Sequence, residues 1–260
     1  MSRAIKIWPL LTGTQRYEKI VSTLNRGHGQ FIDAPILAVL IETPNGRILY
    51  HVGCDYAKVA SAELSRRHFG PMRPLFEPPV MAEEQRIPAY LAKLGLEPAD
   101  IDIVFLGHLH FDHAGGLCDL PGCEVHVHRA EVAAAATGLD GGVFADEVAR
   151  AADWKTQSGD YALCPGVQAL ETPGHTAGHM SLFVELTQGP PVILCGDAAD
   201  LAENLQDEIA PGFCWRDDFG LALASIRRLK SLAGAEQAEL WPSHDFPAYR
   251  TWPQFPAWRD

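Results

Sequence analysis

His108-Leu109-His110-Phe111-Asp112-His113 follows directly on the largely apolar run 101–106 (Ile-Asp-Ile-Val-Phe-Leu), and the fold turns on how this stretch is read. Side chains alternate along an extended chain, so His108 and His110 project to one side from the end of a buried strand. Asp112 and His113 then face inward from the turn that follows. Neutral imidazole and carboxylate are donors that zinc and other borderline divalent ions accept. Without a cation, these groups would crowd polar atoms beside a core with nothing to satisfy them. A polar loop with chance histidines does not account for that density, so the segment reads as part of a metal site.

Working outward, three more candidate ligands fall where strands end. They are His175 in Thr172-Pro173-Gly174-His175-Thr176, Asp197 in Cys195-Gly196-Asp197, and His244 in Ser243-His244-Asp245. The strand-like runs before them are 167–171, 181–186, 192–194 and 239–241, and loops at strand ends are where rigid scaffolds carry chemistry. Singly, each would be a turn residue or a satisfied core group; with the first run they make seven.

The remaining pattern supplies the frame. Runs 36–42 and 47–52 flank Thr43-Pro44-Asn45-Gly46, a hairpin signal. Residues 70–79, with Pro71, Pro74, Pro78 and Pro79, predict a surface excursion able to act as a lid. Helical spacing runs over 81–94, interrupted by Pro88 and stopped by Gly95. A strand is expected at 124–128, an Ala-rich helix at 131–136, an amphipathic helix at 218–232, and an irregular strap from Phe246 onward. Strand groups with intervening helices predict a layered α/β sandwich.

Composition narrows the function. A chain of 260 residues can bury one large core, so a single domain over 1–260 is expected. The formal charge of -12, with 33 acidic against 21 basic residues and no basic cluster, opposes nucleic acid as a partner. The amino end lacks a secretory apolar stretch, and no segment approaches the ~18 apolar residues of a spanning helix, so a cytoplasmic protein with no membrane partner is expected. Six cysteines without a CxxC pair read as small buried hydrophobes rather than a disulfide framework. Oligomeric state, monomer or homodimer, stays open.

His108-x-His110-x-Asp112-His113, followed by His175, Asp197 and His244 in that order, resembles the metallo-β-lactamase superfamily over nearly the whole chain. Within it, the 108–116 run, Thr172-Pro-Gly-His-Thr-Ala-Gly-His179, Ser181-Leu-Phe183 and Ser225-Ile-Arg-Arg-Leu-Lys230 are most similar to the N-acyl-homoserine lactonases. The related pyridoxolactone hydrolases also end in a similar Ser-His-Asp. The resemblance implies a four-layer αβ/βα sandwich and two divalent metal ions, zinc foremost, with iron, manganese or cobalt as alternatives. It implies one ion on His108, His110 and His175, a second on Asp112, His113 and His244, and Asp197 bridging both. The true dizinc β-lactamases usually carry Cys where Asp197 falls.

The implied reaction is hydrolysis of a lactone, an N-acyl-homoserine lactone or a relative, which would make the enzyme quorum quenching. The nucleophile would be a hydroxide shared by the two ions, with Asp112 as a catalytic proton relay. A thioester or other small ester is the alternative substrate, and a catalytically altered ligand-binding relative the alternative class. Two positions depart from the lactonase pattern. Asp200 stands where a tyrosine usually offers its phenol to the substrate carbonyl, and an ionised carboxylate only accepts hydrogen bonds. Asp200 is therefore expected to meet a cationic or hydroxyl-bearing part of the substrate. His51 stands where an aspartate usually orients the ligands, so that orienting role is expected of it. His126, His128 and His179 are expected to be structural and Ser243 a turn residue, while loops 27–32, 72–76 and 140–154 are placed to line the mouth.

Overall fold

The computed structural model describes residues 3, 4, 6–150 and 154–260; part of the predicted loop 140–154, namely Ala151, Ala152 and Asp153, lies outside them. Strands β1 (Lys6–Glu18), β2 (Phe31–Thr43), β3 (Gly46–Tyr50), β4 (Ile103–Phe105), β5 (Glu124–His128) and β6 (Trp154–Gln157) form one sheet in that order. The second sheet runs β11 (Glu239–Pro242), β10 (Val192–Gly196), β9 (Met180–Val184), β8 (Val167–Glu171), β7 (Tyr161–Cys164). In the first sheet β1, β2 and β3 pair antiparallel and β3 to β6 parallel. In the second only β10 and β11 pair parallel.

Period-two alternation builds the layers. Val39, Ile41, Ile48, Tyr50 and Phe105 face Met180, Leu182, Val184, Val192 and Leu194 across the seam between the sheets. Their neighbours Ala38, Leu40, Leu49 and Val104 point the other way, against Ile87, Tyr90 and Leu91 of helix Ile87–Lys93. Likewise Phe183, Ile193 and Cys195 pack on Ile226, Leu229 and Ala233 of helix Phe219–Glu236, which Asp218 caps by accepting the Leu221 N–H. The result is the four-layer αβ/βα sandwich. Strands covered on both faces read as continuous apolar runs, and β9 and β10 are buried throughout. Each fully buried Leu or Ile contributes about 1.5–3 kcal/mol relative to exposure.

Several expectations shift. Helical spacing over 81–94 overran: the α-helix is Ile87–Lys93, because Pro88 lacks the N–H that an interior position needs and sits in the first turn instead. Strand β3 ends at Tyr50, and His51 leaves it with φ 61°. Asp112 and His113 face inward as expected, the turn that carries them being a short helix, Phe111–Ala114. Cys54 and Cys195 are buried but Cys118 is exposed, so the cysteines are not uniformly core residues. The Pro-rich excursion is tied to the sheet edge by bridges Tyr17↔Phe76 and Thr14↔Val80.

Candidate metal centre

Every candidate ligand lies beyond the end of a strand or close after one. At Gly107, between β4 and His108, a Cβ would sit 2.5 Å from the Met180 carbonyl oxygen, and the Gly107 carbonyl accepts the Met180 N–H at 2.8 Å. Only glycine lets the chain pass this close to the second sheet, and the passage brings His108 under the seam. His110 is the residue before helix Phe111–Ala114, whose first turn aims Asp112 and His113 at the same point. His175, Asp197 and His244 arrive from the second sheet after β8, β10 and β11.

The seven side chains converge. Asp197 Oδ2 lies 3.5 Å from His108 Nε2, 3.3 Å from His113 Nε2, 3.4 Å from His175 Nε2 and 3.3 Å from His244 Nε2. Asp112 Oδ2 is 3.3 Å from His113 Nε2 and 3.7 Å from His244 Nε2. Two donor groups result: His108, His110, His175 and Asp197 in one, Asp112, His113 and His244 in the other, each with its donor atoms within 4.8 Å of one another. With Asp197 counted in both, each group takes two side chains from either half of the sandwich.

The chemistry of this donor set fits divalent cations. Both ring nitrogens of His108 and of His113 are buried without a hydrogen-bond partner, and so is Asp197 Oδ1. His175 Nε2 and His110 Nδ1 meet at 3.0 Å, so two potential lone pairs face each other. Burial opposes the charge of Asp197, yet the surrounding imidazoles, His113 first, hold its carboxyl well below the usual range. Burial also opposes charge on His244, and Asp197 lifts that ring to about 9; His175 falls to about 4 by burial. Asp112, pushed up by burial, is pulled down to about 2 by His113.

Supporting residues complete the site, and two were not singled out as such in the sequence. Asp140 Oδ2 stands 3.1 Å from His110 Nε2, while its Oδ1 accepts the Gly142 N–H at 2.9 Å. That contact leaves His110 Nδ1 for the centre, and its only sequence signal was an Asp-Gly-Gly turn in a mouth loop. His179, expected to be structural, accepts the Asp197 backbone N–H on Nε2 at 2.9 Å and meets Thr172 Oγ1 through Nδ1 at 2.9 Å, fixing the neutral tautomer. His128 caps helix Arg129–Ala135 by accepting the Ala130 N–H, and His126 bonds Glu124 and Tyr161 away from the centre. His51 lies beneath the cluster, its ring centroid 4.3 Å from that of His113, with no hydrogen bond from either nitrogen. Ser243 is a turn residue whose N–H reaches the Ala199 carbonyl. Asp200 is 3% exposed, with Oδ1 unpartnered, and burial followed by Asp197 pushes it up to about 7.

A cavity of about 610 Å³ opens over Asp112, Asp197 and His244, walled by Val21, Met72, Leu75, Phe76, Phe144 and Phe213. The excursion at 72–76 thus lines the mouth, as does Asp140, while Gln30 and Ile32 of loop 27–32 line a neighbouring cleft that also reaches His244.

The family model for the Metallo-beta-lactamase superfamily matches residues 32–244. The chain belongs to the metallo-beta-lactamase superfamily. Among superfamily members, an N-acyl homoserine lactonase of a Bacillus species is 36% identical over 241 residues, 92% of each chain. The N-acyl homoserine lactonase AttM of Azorhizobium caulinodans is 28% identical over 98% of this chain and 99% of its own. A solved N-acyl homoserine lactone hydrolase, with the product N-hexanoyl-L-homoserine bound at its catalytic metal centre, superposes with TM-score 0.89 at 32% identity, covering 99% of this chain and 100% of that one. Superfamily membership and the paired donor groups support two divalent metal ions and a small-molecule substrate.

Proposed function

We propose that the chain is a metal-dependent lactonase that opens N-acyl homoserine lactones, and so quenches quorum signals. The observation that carries this is the pair of donor groups sharing Asp197 on the floor of an apolar cavity. The solved relative with N-hexanoyl-L-homoserine at its metal centre supports the substrate class. In this reading His108, His110 and His175 would hold one ion and Asp112, His113 and His244 the other, with Asp197 shared between the two sets. Zinc is the proposed native metal, since the donors are mostly imidazole. When bound, the two ions supply an activated water and polarise the lactone carbonyl.

The chain's own residues do the rest. Asp140 accepts the His110 Nε2–H and keeps Nδ1 turned inward, and His179 holds the backbone of Asp197. Asp112 is ionised at neutral pH and is the proposed relay, passing the proton of the attacking water to the ring oxygen as the ester bond breaks. Phe76, Phe213 and their neighbours shelter the acyl chain. The chain is read as one domain working in the cytoplasm as a monomer or homodimer; among the described residues no helix is long and apolar enough to cross a membrane.

The test is to load the chelator-stripped protein with zinc, manganese or cobalt and follow proton release on N-hexanoyl and N-decanoyl homoserine lactones beside thioesters and phosphate esters. Lactone turnover that requires the metal is expected. Turnover confined to thioesters or phosphate esters rejects the assignment.

A further inference from the structure

Asp200 is a buried carboxylate without an assigned purpose. Only 3% of it is exposed, its Oδ1 has no hydrogen-bond partner, and one of its oxygens lies within 4.8 Å of donor atoms on both Asp197 and His244. The backbone fixes this closeness, because the His244 N–H is donated to the Asp200 carbonyl at 2.8 Å. A hydroxyl relay supports the side chain from behind. Tyr17 Oη and Ser22 Oγ meet at 2.8 Å, and the Ser22 hydroxyl beside Asp200 favours the ionised form of that carboxylate. Outer hydrogen bonds of this kind are what orient ligating carboxylates. Two carboxylates buried side by side, each with an unpartnered oxygen, are costly unless a proton or a cation lies between them.

We propose that Asp200 is a further metal ligand, joining Asp112, His113 and His244 on the second ion and making that position richer in oxygen than the first. The inference rests on the dinuclear reading above. The first group offers three imidazoles and the shared Asp197, whereas the second would draw on two overlapping sets that share His244, one of Asp112, His113 and His244 and one of Asp197, Asp200 and His244. Carboxylates suit manganese better than imidazole does, so the second position tolerates this harder ion while the first prefers zinc. The departure at position 200 then changes the metal, on the floor of the cavity that Asp200 helps to line.

The experiment compares wild type with Asp200→Asn, which keeps the shape and removes the charge, by chelator competition with manganese and with zinc and by counting metal per chain. Asp200→Asn is expected to weaken manganese at one of the two positions by about tenfold or more, and zinc clearly less. In cobalt-loaded protein, the visible absorption of one position should intensify as its coordination number drops. Ser22→Ala, which leaves the carboxylate in place, should shift manganese retention in the same direction by a smaller factor, and it stands in if Asp200→Asn does not fold. Unchanged manganese retention, or equal loss of both ions, overturns the proposal. The readouts need no lactone: a wild type that binds two ions with this selectivity yet leaves lactones intact rejects the hydrolytic reading alone. A working lactonase whose variant keeps its manganese rejects only the role of Asp200.

Discussion

Replacing Asp140 by alanine isolates the role of a residue that touches a ligand and not the ion. Its carboxylate stands 3.1 Å from His110 Nε2 and is itself held by the Gly142 N–H. Burial opposes charge on His110, but Asp140 outweighs it and lifts the ring to about 9, so the two groups interact strongly. A hydrogen bond involving a charged group contributes a net ~1.5–3 kcal/mol. If that preference for the inward-facing Nδ1 is lost, affinity for the first ion should fall about 10- to 150-fold, at ~1.4 kcal/mol per decade. Chelator competition on the zinc-loaded protein measures it, with circular dichroism confirming the fold. Asp140→Asn, which keeps one acceptor oxygen, should fall between. Asp140→Ala protein that retains the first ion within about twofold of wild type refutes the argument.

Other expectations follow from the same geometry. In Gly142→Ala the new methyl would stand 2.7 Å from His110 Cδ2, so His110 must shift, and metal counting under chelator should show one ion lost before the other. In ion-free protein His110 and His244 are raised to about 9, above an unfolded value of ~6.5. Their stabilisation is therefore complete below about pH 6.5 and lost as pH rises through about 9, so the ion-free melting temperature should decline across that window. Metal binding must displace these protons, so the rise in melting temperature on adding zinc should grow over the same window; a flat profile contradicts the assignment. Phe213 is 50% exposed with its ring 6.5 Å from that of Phe76. Phe213→Ala should raise KM for N-decanoyl homoserine lactone about fivefold, for ~1 kcal/mol of lost apolar contact, and leave the N-butanoyl lactone nearly unaffected.

Much of this architecture was legible because its strands are buried on both faces and so spell out largely apolar runs, as β10 does throughout and β9 does apart from Ser181. Asn45-Gly46 marked the β2–β3 hairpin. Strand β1 was not legible: Pro9, Gly13, Gln15 and Arg16 break its pattern, and its register shifts between Leu11 and Gly13. β6 and β7 were missed because they are half-exposed edge strands with mixed sequences. The seven converging side chains could be read from local spacing and strand ends. Asp140 and His179 could not, since their value lies in which ligand atom each one touches, and packing alone decides that.

The supply of donor groups from both halves of the sandwich has a mechanical meaning. Each ion, once bound, would be a rivet driven through the seam, gripping at least two side chains from either plate. Apolar contact presses the plates together but resists sliding poorly, whereas directional bonds to a cation resist it well. Shear between the plates would also pull the reacting atoms out of line, so whatever keeps the plates in register keeps the catalyst assembled.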